Sequence, residues 1–346
     1  MCDIKNRSEI LFLYDIQNAN PNGDPNDENK PRLDEETGRN LVTDVRLKRT
    51  IRDYMQEKGN DIFVREVIYD KEGHIQDAKM RAKDFIGEIE NSSNEDKEIV
   101  ANFLEGKKIS KKEIEILKSN IACNLIAKAI DVRFFGATVP LEFTKSEISD
   151  LGSAKSIKSS ITFTGPIQFK MGKSLHSVKI LHIKGTGAFA SGTGATQKTF
   201  REEDILPYSL IGFYGIVNEN AAKHTNLQQK DIKLLKEAIW NGTKGLISRS
   251  KFGQMPRLLL VINYKQPDFF IGDLDNLIEL KSDKRHEQLR KPEDYKIDIS
   301  GLLQRIKEHT DKVENVEFAV DERMTFVLQE KEVKLNDLDK FTKISL

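Results

Sequence analysis

Short apolar runs recur along the chain and predict buried β-strands. A run of about four to eight apolar residues between polar turns is typical of a strand that is covered on both faces. The predicted strands are EILFLYDI (9–16), NDIFVREVIYD (60–70), ITFTGPIQFKMG (161–172, interrupted at Gly165-Pro166), VKILHI (178–183), LPYSLIGFYGIVN (206–218), RLLLVINY (257–264) and VEFAV (316–320).

Two segments have the roughly 3.6-residue apolar period of an amphipathic helix. In the first, TDVRLKRTIRDYMQEK, Thr43 is the predicted cap and Gly59 ends the helix. Its apolar face consists of Leu47, Ile51, Tyr54 and Met55. The second, QKDIKLLKEAIWNG, ends at Gly242. Residues 75–130 are also expected to be helical and are highly charged.

Three polar stretches separate these elements. Residues 17–40 are dense in Asn, Asp, Pro and Gly and predict a long loop, and residues 145–160 predict a second one. Residues 184–199, KGTGAFASGTGATQKT, have no periodicity and predict a mobile projection. Strands with long helical excursions between them indicate an α+β sheet domain that carries inserted elements.

Composition and charge narrow the possible classes of protein. No stretch approaches the roughly 18 consecutive apolar residues of a membrane span, and MCDIKNRSEI does not resemble a signal peptide, so we expect no membrane contact and a cytoplasmic location. Cys2 and Cys123 are too few for a disulfide framework. Lys plus Arg number 55, as do Asp plus Glu, whereas nucleic-acid binders are usually basic overall. Any nucleic-acid surface must therefore be local.

Several motifs resemble ligand sites but lack a required part. Gly185, Gly187 and Ala190 fit a dinucleotide fingerprint, but SGTGATQKT follows where a helix is needed. Gly172-Lys173-Ser174 resembles the end of a P-loop without its first glycine. The NANPNG run lacks the carboxylates of a calcium loop, and the six histidines show no paired spacing, so we expect no metal site and no cofactor.

The predicted helix at 43–57 carries the clearest chemical signal. Its cations are Arg46, Lys48, Arg49 and Arg52. Such residues neutralise phosphates, although a solvated charged face is the alternative and Asp44 and Asp53 dilute the charge. A second cluster, SRSKFGQMPR, places Arg249, Lys251 and Arg257 beside Phe252, which suits phosphate contact and base stacking or a plain charged loop.

Five blocks of the sequence resemble the Cas seven family, the backbone subunits of type I CRISPR Cascade complexes, and its type I-B (Csh-two) branch in particular. The blocks are YDIQNANPNGDPNDENKPRLDEETGRNLVTDVRLKR, DVRFFGATVP, TGPIQF, LPYSLIGFYGIVN and SRSKFGQMPRLLL. They extend from about residue 9 to residue 264, and the last eighty residues match no motif.

The resemblance implies a hand-shaped fold. The expected palm has an RNA-recognition-like (ferredoxin-like) core and comprises residues 1–58 and 206–346. The expected fingers are residues 59–183, and the expected flexible thumb is residues 184–205.

The resemblance also implies a function without catalysis. Further copies of the chain would line up along the CRISPR RNA, leaving its bases exposed to pair with target DNA. The other expected partners are Cascade subunits of the Cas five, Cas six and Cas eight families. In such systems protein contacts read backbone and shape, while base pairing reads sequence.

Carried over with the basic clusters, the resemblance yields a set of predicted RNA-binding residues. These are Asn20, Asn22, Thr43, Arg46, Lys48, Arg49, Arg52, Arg133, Phe135, Arg249 and Lys251. Phe189 is the predicted wedge of the thumb, because an apolar side chain can hold bases apart. No RNP aromatic pattern of an RNA-recognition sheet is present.

Two enzyme classes are the alternatives. Related type III backbone subunits cut target RNA with an Asp and a metal in the loop after the first strand, where Asp24 and Asp27 lie in this chain. An oxidoreductase that uses the glycine fingerprint is the weaker alternative.

Overall fold

A computed structural model describes residues 2–89, 92–190 and 198–346, and the side chains of 186–190 and 198–201 lie outside this description. The helices of the described part are α1 Asp44–Glu57, α2 Ala78–Lys83, α3 Asn94–Leu104, α4 Ile114–Lys128, α5 Ile130–Phe135, α6 Glu219–Thr225, α7 Gln229–Gly245 and α8 Ser300–Glu308. None of these described helices has the length and apolar character needed to cross a bilayer.

Strands account for most of the remaining regular structure. They are β1 Ser8–Ala19, β2 Gly23–Asp24, β3 Lys30–Pro31, β4 Leu33–Asp34, β5 Arg39–Val42, β6 Gly136–Thr144, β7 Ser156–Thr164, β8 Ile167–Phe169, β9 Gly172–Ser177, β10 Leu181–Ala190, β11 Lys198–Val217, β12 Met255–Tyr264, β13 Glu279–Lys281, β14 Lys296–Asp298, β15 Val313–Val320, β16 Phe326–Leu328, β17 Lys331–Val333 and β18 Phe341–Lys343. The chain is thus a mixed α+β protein, as the sequence predicts.

The chain divides into two compact units. The first unit comprises Met1–Ile4, Met55–Ile167 and Asn218–Ile232. The second comprises Lys5–Tyr54, Gln168–Val217 and Lys233–Leu346. The division into palm, fingers and thumb is a functional one and stays a prediction.

A large sheet organises the second unit. Its strand order is β18-β15-β12-β1-β11-β9-β5-β4, and β8 and β10 also pair with β11. β1 lies between β11 and β12 and is antiparallel to both. Its predicted apolar run is confirmed as strand, and a central position explains why the run is apolar on both faces.

Residues that follow β12 cover one face of this sheet. Alternate residues of β1, Leu11 and Leu13, are fully buried in a cluster with Leu258 and Leu260 of β12. The same cluster contains C-terminal side chains: Leu274, Leu289, Tyr295, Ile297, Leu302, Val316, Phe318 and Phe326. The C-terminal residues therefore belong to the core of the second unit.

The first unit has its own core around a hairpin. β6 and β7 pair antiparallel from Gly136 opposite Thr164 to Thr144 opposite Ser156. Apolar residues of α2, α4 and this hairpin form one buried cluster, including Ala82, Leu117, Ile121, Val139 and Phe143. The predicted helical excursion is confirmed, while β7 begins inside the predicted loop 145–160.

The predicted strand at 60–70 is wrong. Among its residues the structure has only isolated bridges, at Asp61 and Ile68. The N–H groups of Phe63 and Val64 instead donate to the Asp131 carboxylate, at 2.8 and 3.0 Å. The Asp131 side chain thus accepts the hydrogen bonds that a neighbouring strand would accept in a sheet.

The glycine-rich segment also differs from expectation. In its described residues the backbone is a two-stranded ladder of β10 and β11, from Leu181 opposite Ile205 to Ala190 opposite Lys198. Backbone hydrogen bonds form this ladder without an apolar period, so hydropathy did not indicate it. The predicted loop 17–40 likewise contains two short pairs, β2 with β3 and β4 with β5.

Both predicted amphipathic helices are confirmed, with one change of boundary. Leu47, Ile51 and Met55 are buried as expected. Helix α7 continues past Gly242 to Gly245. A Cβ at Gly242 would lie 3.0 Å from Cβ of Tyr54, so the glycine allows close packing against α1 rather than ending the helix.

Candidate nucleic-acid interface

The start of α1 is tied to the loop that follows β1. The Thr43 hydroxyl accepts the Arg46 N–H at 3.2 Å, which confirms Thr43 as the helix cap. The Asn22 side-chain oxygen accepts both the Thr43 N–H and the Thr43 hydroxyl at 2.9 Å. Asn22 and Thr43 therefore hold the first turn of the helix, where free N–H groups and the helix dipole favour an anion.

A turn before β12 joins the same loop. The Lys251 ammonium donates to the Asn20 carbonyl at 2.9 Å, and the Asn20 N–H donates to the Ser250 carbonyl at 2.9 Å. The Asn20 side chain donates to the Asn29 carbonyl at 2.7 Å and is 4% exposed. Asn20 thus fastens the loop to the turn and is itself buried.

Lys251 and Arg46 are both cations with a lowered pKa. Burial, and after it the positive charge of Arg46, lowers the pKa of Lys251 to about 8. Burial also lowers the pKa of Arg46. Its guanidinium donates to the Thr50 hydroxyl at 3.1 Å. Arg46 and Lys251 thus place positive charge near the first turn of α1, which Asp44 and Asp53 partly offset, and such a site can accept a phosphate.

The outer cations of α1 are partly neutralised. Lys48 pairs with Asp44 at 2.9 Å and also donates to Gln168. Arg49 pairs with Asp53 at 2.7 Å. The Arg49 pair is exposed, so it contributes only about 0.3–0.5 kcal/mol and can exchange for a phosphate at small cost, whereas the Lys48 side chain is mostly buried. Arg52 is half-buried on the same helix.

Arg249 belongs to the turn of Lys251 but pairs elsewhere. Its guanidinium lies 2.8 Å from the Glu203 carboxylate and is mostly exposed. Arg257, the third cation of that cluster, is 2% exposed and pairs with Asp15 at 2.9 Å and Asp321 at 3.0 Å. It is a core residue, so the surface cluster has two cations instead of three.

Arg133 and Phe135 lie in the first unit. The Arg133 guanidinium pairs with Asp231 at 3.3 Å and donates to the Ile126 carbonyl at 3.0 Å. Phe135 is 8% exposed and packs edge-on against Phe134. Both side chains serve packing within that unit, and their RNA contact stays a prediction. The side chain of Phe189 lies outside the described residues.

The aspartates of the first loop take part in turns. The Asp24 carboxylate accepts from the Arg32 guanidinium at 2.7 Å and from the Asn26 N–H at 3.0 Å. Asp27 pairs with Lys30 at 2.9 Å. Within the described ranges, one group of three potential metal ligands lies together: Asp70, Glu72 and His74. These three are joined by hydrogen bonds of their own surface turn.

Sequence reasoning thus named candidate residues, whose RNA contact stays a prediction, but it did not predict their arrangement. The structure brings together Asn20, Asn22, Thr43, Arg46 and Lys251. The pairing of Asn22 with Thr43 and of Lys251 with Asn20 has no local sequence signal, because each pair is far apart in the chain. In the sequence, the high content of Asn and Gly in the loop is the only indication that Asn20 and Asn22 have a structural role.

Three comparisons with known proteins bear on identity. The family model described as CRISPR-associated protein Cas7 matches residues 6–300. A Haloferax volcanii protein named CRISPR-associated protein Cas7 is 32% identical over 338 residues, covering 96% of this chain and 92% of that protein. A chain of a solved structure described as a CRISPR RNA-guided surveillance complex, pre-nicking, shares the fold with a TM-score of 0.54, at 12% identity and 98% and 97% coverage. The chain belongs to the CRISPR-associated protein Cas7 family.

Proposed function

We propose that the chain is an RNA-binding backbone subunit of a CRISPR RNA-guided surveillance complex of type I-B. Copies of it polymerise along the CRISPR RNA and leave the guide free to pair with target DNA. Family membership and the likeness to a surveillance-complex chain support this role. The observation that carries it is the loop after β1, which hydrogen-bonds both the cap of α1, beside Arg46, and the turn of Lys251.

The physical reason is the form of charge that RNA presents. One phosphate per nucleotide is a compact anion, and a helix N-terminus with two adjacent cations offers N–H donors and opposite charge to it. Such contacts carry no sequence information. A protein that must accept any guide requires this kind of contact, because sequence is read by base pairing.

The order of elements supports an RNA-recognition-like palm. Taken along the chain, β1, α1, β9, β11, α7 and β12 follow a βαββαβ plan, and their strands lie in the order β12-β1-β11-β9. One face of this sheet is covered by residues after β12. RNA would therefore contact the edge formed by α1 and the 248–252 turn, which accounts for the missing RNP aromatics.

We propose further that the subunit does not cut RNA. Both oxygens of the Asp24 carboxylate accept hydrogen bonds inside their own loop. A carboxylate with this role shapes a turn, and its preference for Arg32 competes with metal binding. The remaining partners we propose are Cascade subunits of the Cas five, Cas six and Cas eight families.

Expression of the chain beside a CRISPR array tests the proposal. We expect the purified protein to retain array transcripts, identified by sequencing, and to leave complementary RNA intact in the presence of Mg²⁺. The double variant Arg46→Gln, Lys251→Ala should bind RNA more weakly at every sequence. It should also lower the slope of log affinity against log salt by about one per lost phosphate contact.

Exposed Lys307 supplies the matched control, since Lys307→Ala removes a cation outside this site. If the double variant keeps the wild-type salt slope and has the affinity of the Lys307→Ala protein, the assigned interface does not bind RNA. Cleavage of complementary RNA that disappears in Asp24→Ala would replace the proposal with the ribonuclease alternative.

A further inference from the structure

Unusually exposed apolar side chains occur beside the cations of the candidate interface. Among the described large apolar side chains, the three with the highest exposed fractions are Ile247 at 73%, Val45 at 65% and Phe252 at 65%. Phe252 belongs to the 248–252 turn that carries Lys251, and Ile247 directly precedes this turn. Val45 precedes Arg46 in the first turn of α1. Both segments are hydrogen-bonded to the loop after β1, the turn through Asn20 and the start of α1 through Asn22.

The backbone holds Phe252 in this position. The N–H groups of Lys251 and Phe252 both donate to the Ser248 carbonyl, at 3.1 and 2.7 Å. Gly253 follows with a φ of +87°, which returns the chain towards β12. The turn is also fastened to the first loop through the Asn20 N–H. Phe252 thus projects from a fixed turn.

Stability alone does not account for this exposure. Burial of a Phe side chain is favourable, and most of that gain is lost when the ring stays in water. An apolar partner would recover it. The adjacent cations require that partner to be anionic as well, and single-stranded nucleic acid combines a phosphate with a flat apolar base in every nucleotide.

We propose that Phe252, together with Ile247 and Val45, forms a contact surface for an unstacked base of single-stranded RNA whose phosphate lies at Arg46 and Lys251. This inference rests on the proposed function and adds base contact to it. Every base has a π-face, so stacking on Phe252 would tolerate any guide sequence. The site would then grip the base and the phosphate of the same nucleotide.

Fluorescence anisotropy of the full-length protein tests the base contact with two labelled RNA oligomers of equal length, one normal and one abasic. We expect Phe252→Ala to bind the normal oligomer roughly tenfold more weakly. Its affinity for the abasic oligomer and its salt slope should stay those of the wild-type protein. Phe252→Trp should retain wild-type affinity because it keeps a stacking ring.

Phe270→Ala is the matched control, because Phe270 is an exposed phenylalanine of the same unit, at 43%, outside this turn. Equal loss of affinity for both oligomers, or no loss for either, would overturn the base contact. So would an effect of Phe252→Ala on self-association alone, which would assign the surface to a protein partner. Binding that responds to Arg46→Gln and not to Phe252→Ala would sink this inference and leave the proposed function standing. Failure of the wild-type chain to bind RNA would overturn both.

Discussion

Lys251 is the residue on which the candidate interface depends most directly. An exposed lysine stays charged far above neutral pH, since its ordinary pKa is near 10.5. Here burial and the charge of Arg46 lower the pKa of Lys251 to about 8. An incoming phosphate would reverse both effects, because it solvates the ammonium and offsets the charge of Arg46. RNA binding should therefore be coupled to proton uptake at this one residue.

We expect RNA affinity to fall as pH rises from 7 to 9. The free protein loses the Lys251 proton through a pKa of about 8, whereas the phosphate-bound form keeps it. The protonated form binds, so each complex must take up a proton above pH 8. The expected loss is about tenfold over this range. Anisotropy with an adenosine and cytidine oligomer, whose bases do not titrate there, measures it.

Lys251→Arg is the appropriate comparison, because a guanidinium stays charged throughout this range. Its affinity should be flat from pH 7 to 9 if Lys251 causes the effect. A wild-type and a Lys251→Arg protein with parallel pH profiles would contradict the coupling.

Residue chemistry predicted the cations of the SRSKFGQMPR cluster but not their separate roles. Arg257 and Lys251 are equally basic in the sequence, yet Arg257 is buried between Asp15 and Asp321 while Lys251 lies at the interface. The carboxylates that decide this come from distant strands. No local pattern contains that information, and only the assembled sheet supplies it.

At the scale of elements, two glycines fix how β6 and β7 begin and end. Gly136 has a φ of +68° and a Cβ there would lie 2.2 Å from the Phe163 carbonyl oxygen. A Cβ at Gly165 would lie 2.0 Å from the Phe135 carbonyl carbon. The conformation of Gly136 and the mutual approach of the two segments leave no space for a side chain. The glycines of DVRFFGATVP and TGPIQF are thus explained by packing.

Gly165→Ala should destabilise the protein by about 3 kcal/mol or more, because backbone rather than a flexible side chain must move. Urea unfolding monitored by circular dichroism measures the change. Gly245→Ala is the control, since a Cβ at that position meets nothing within 4 Å. Similar unfolding midpoints for the two variants would show that the backbone of the β6–β7 hairpin moves at little cost in stability.

The elements that the sequence predicted well are those whose signal is local. Helix α1 has its cap, its apolar face and its terminal glycine within one short segment, and its limits are confirmed. The strand predicted at 60–70 failed because its backbone donors bond to Asp131, more than sixty residues away. The strand predicted at 178–183 contains the start of β10, but its continuation through 184–190 was not predicted because that glycine-rich stretch has no apolar alternation.

On the scale of the whole molecule, the last eighty residues have a structural role that no motif revealed. They cover the sheet face that carries Leu11, Leu13, Leu258 and Leu260. A sheet face occupied in this way cannot also bind RNA. Under the proposed function RNA therefore contacts an edge of the sheet, and a local surface of this kind is compatible with a net charge of zero.

A chain that ends at Tyr264 should lose its solubility and its cooperative unfolding. Removal of the later residues exposes the apolar face of the sheet, and large exposed apolar surfaces drive association. Light scattering and binding of an apolar dye measure this. A truncated chain that stays monomeric and unfolds in one transition would show that the C-terminal residues are an appendage.

The fold class and the presence of the central strands follow from local patterns, whereas the order of the strands and the coverage of the sheet do not. VEFAV at 316–320 was recognisable as a strand and lies in β15. Its place beside β12 depends on a register of residues from Leu258 to Tyr264 with Val320 to Val313, which no single segment specifies.

The length of β11 has a mechanical consequence. Its twenty residues extend about 65 Å at about 3.3 Å per residue. One end of β11 pairs with β10 and the other with β1, so the same backbone passes from the β10–β11 ladder into the middle of the sheet. A pull along the β10–β11 ladder would load all the hydrogen bonds to β1 in shear at the same time. It would not break them one after another. We therefore expect β11 to resist tension, so that an assembly linked through it could bend without losing the pairing of β11 with β1.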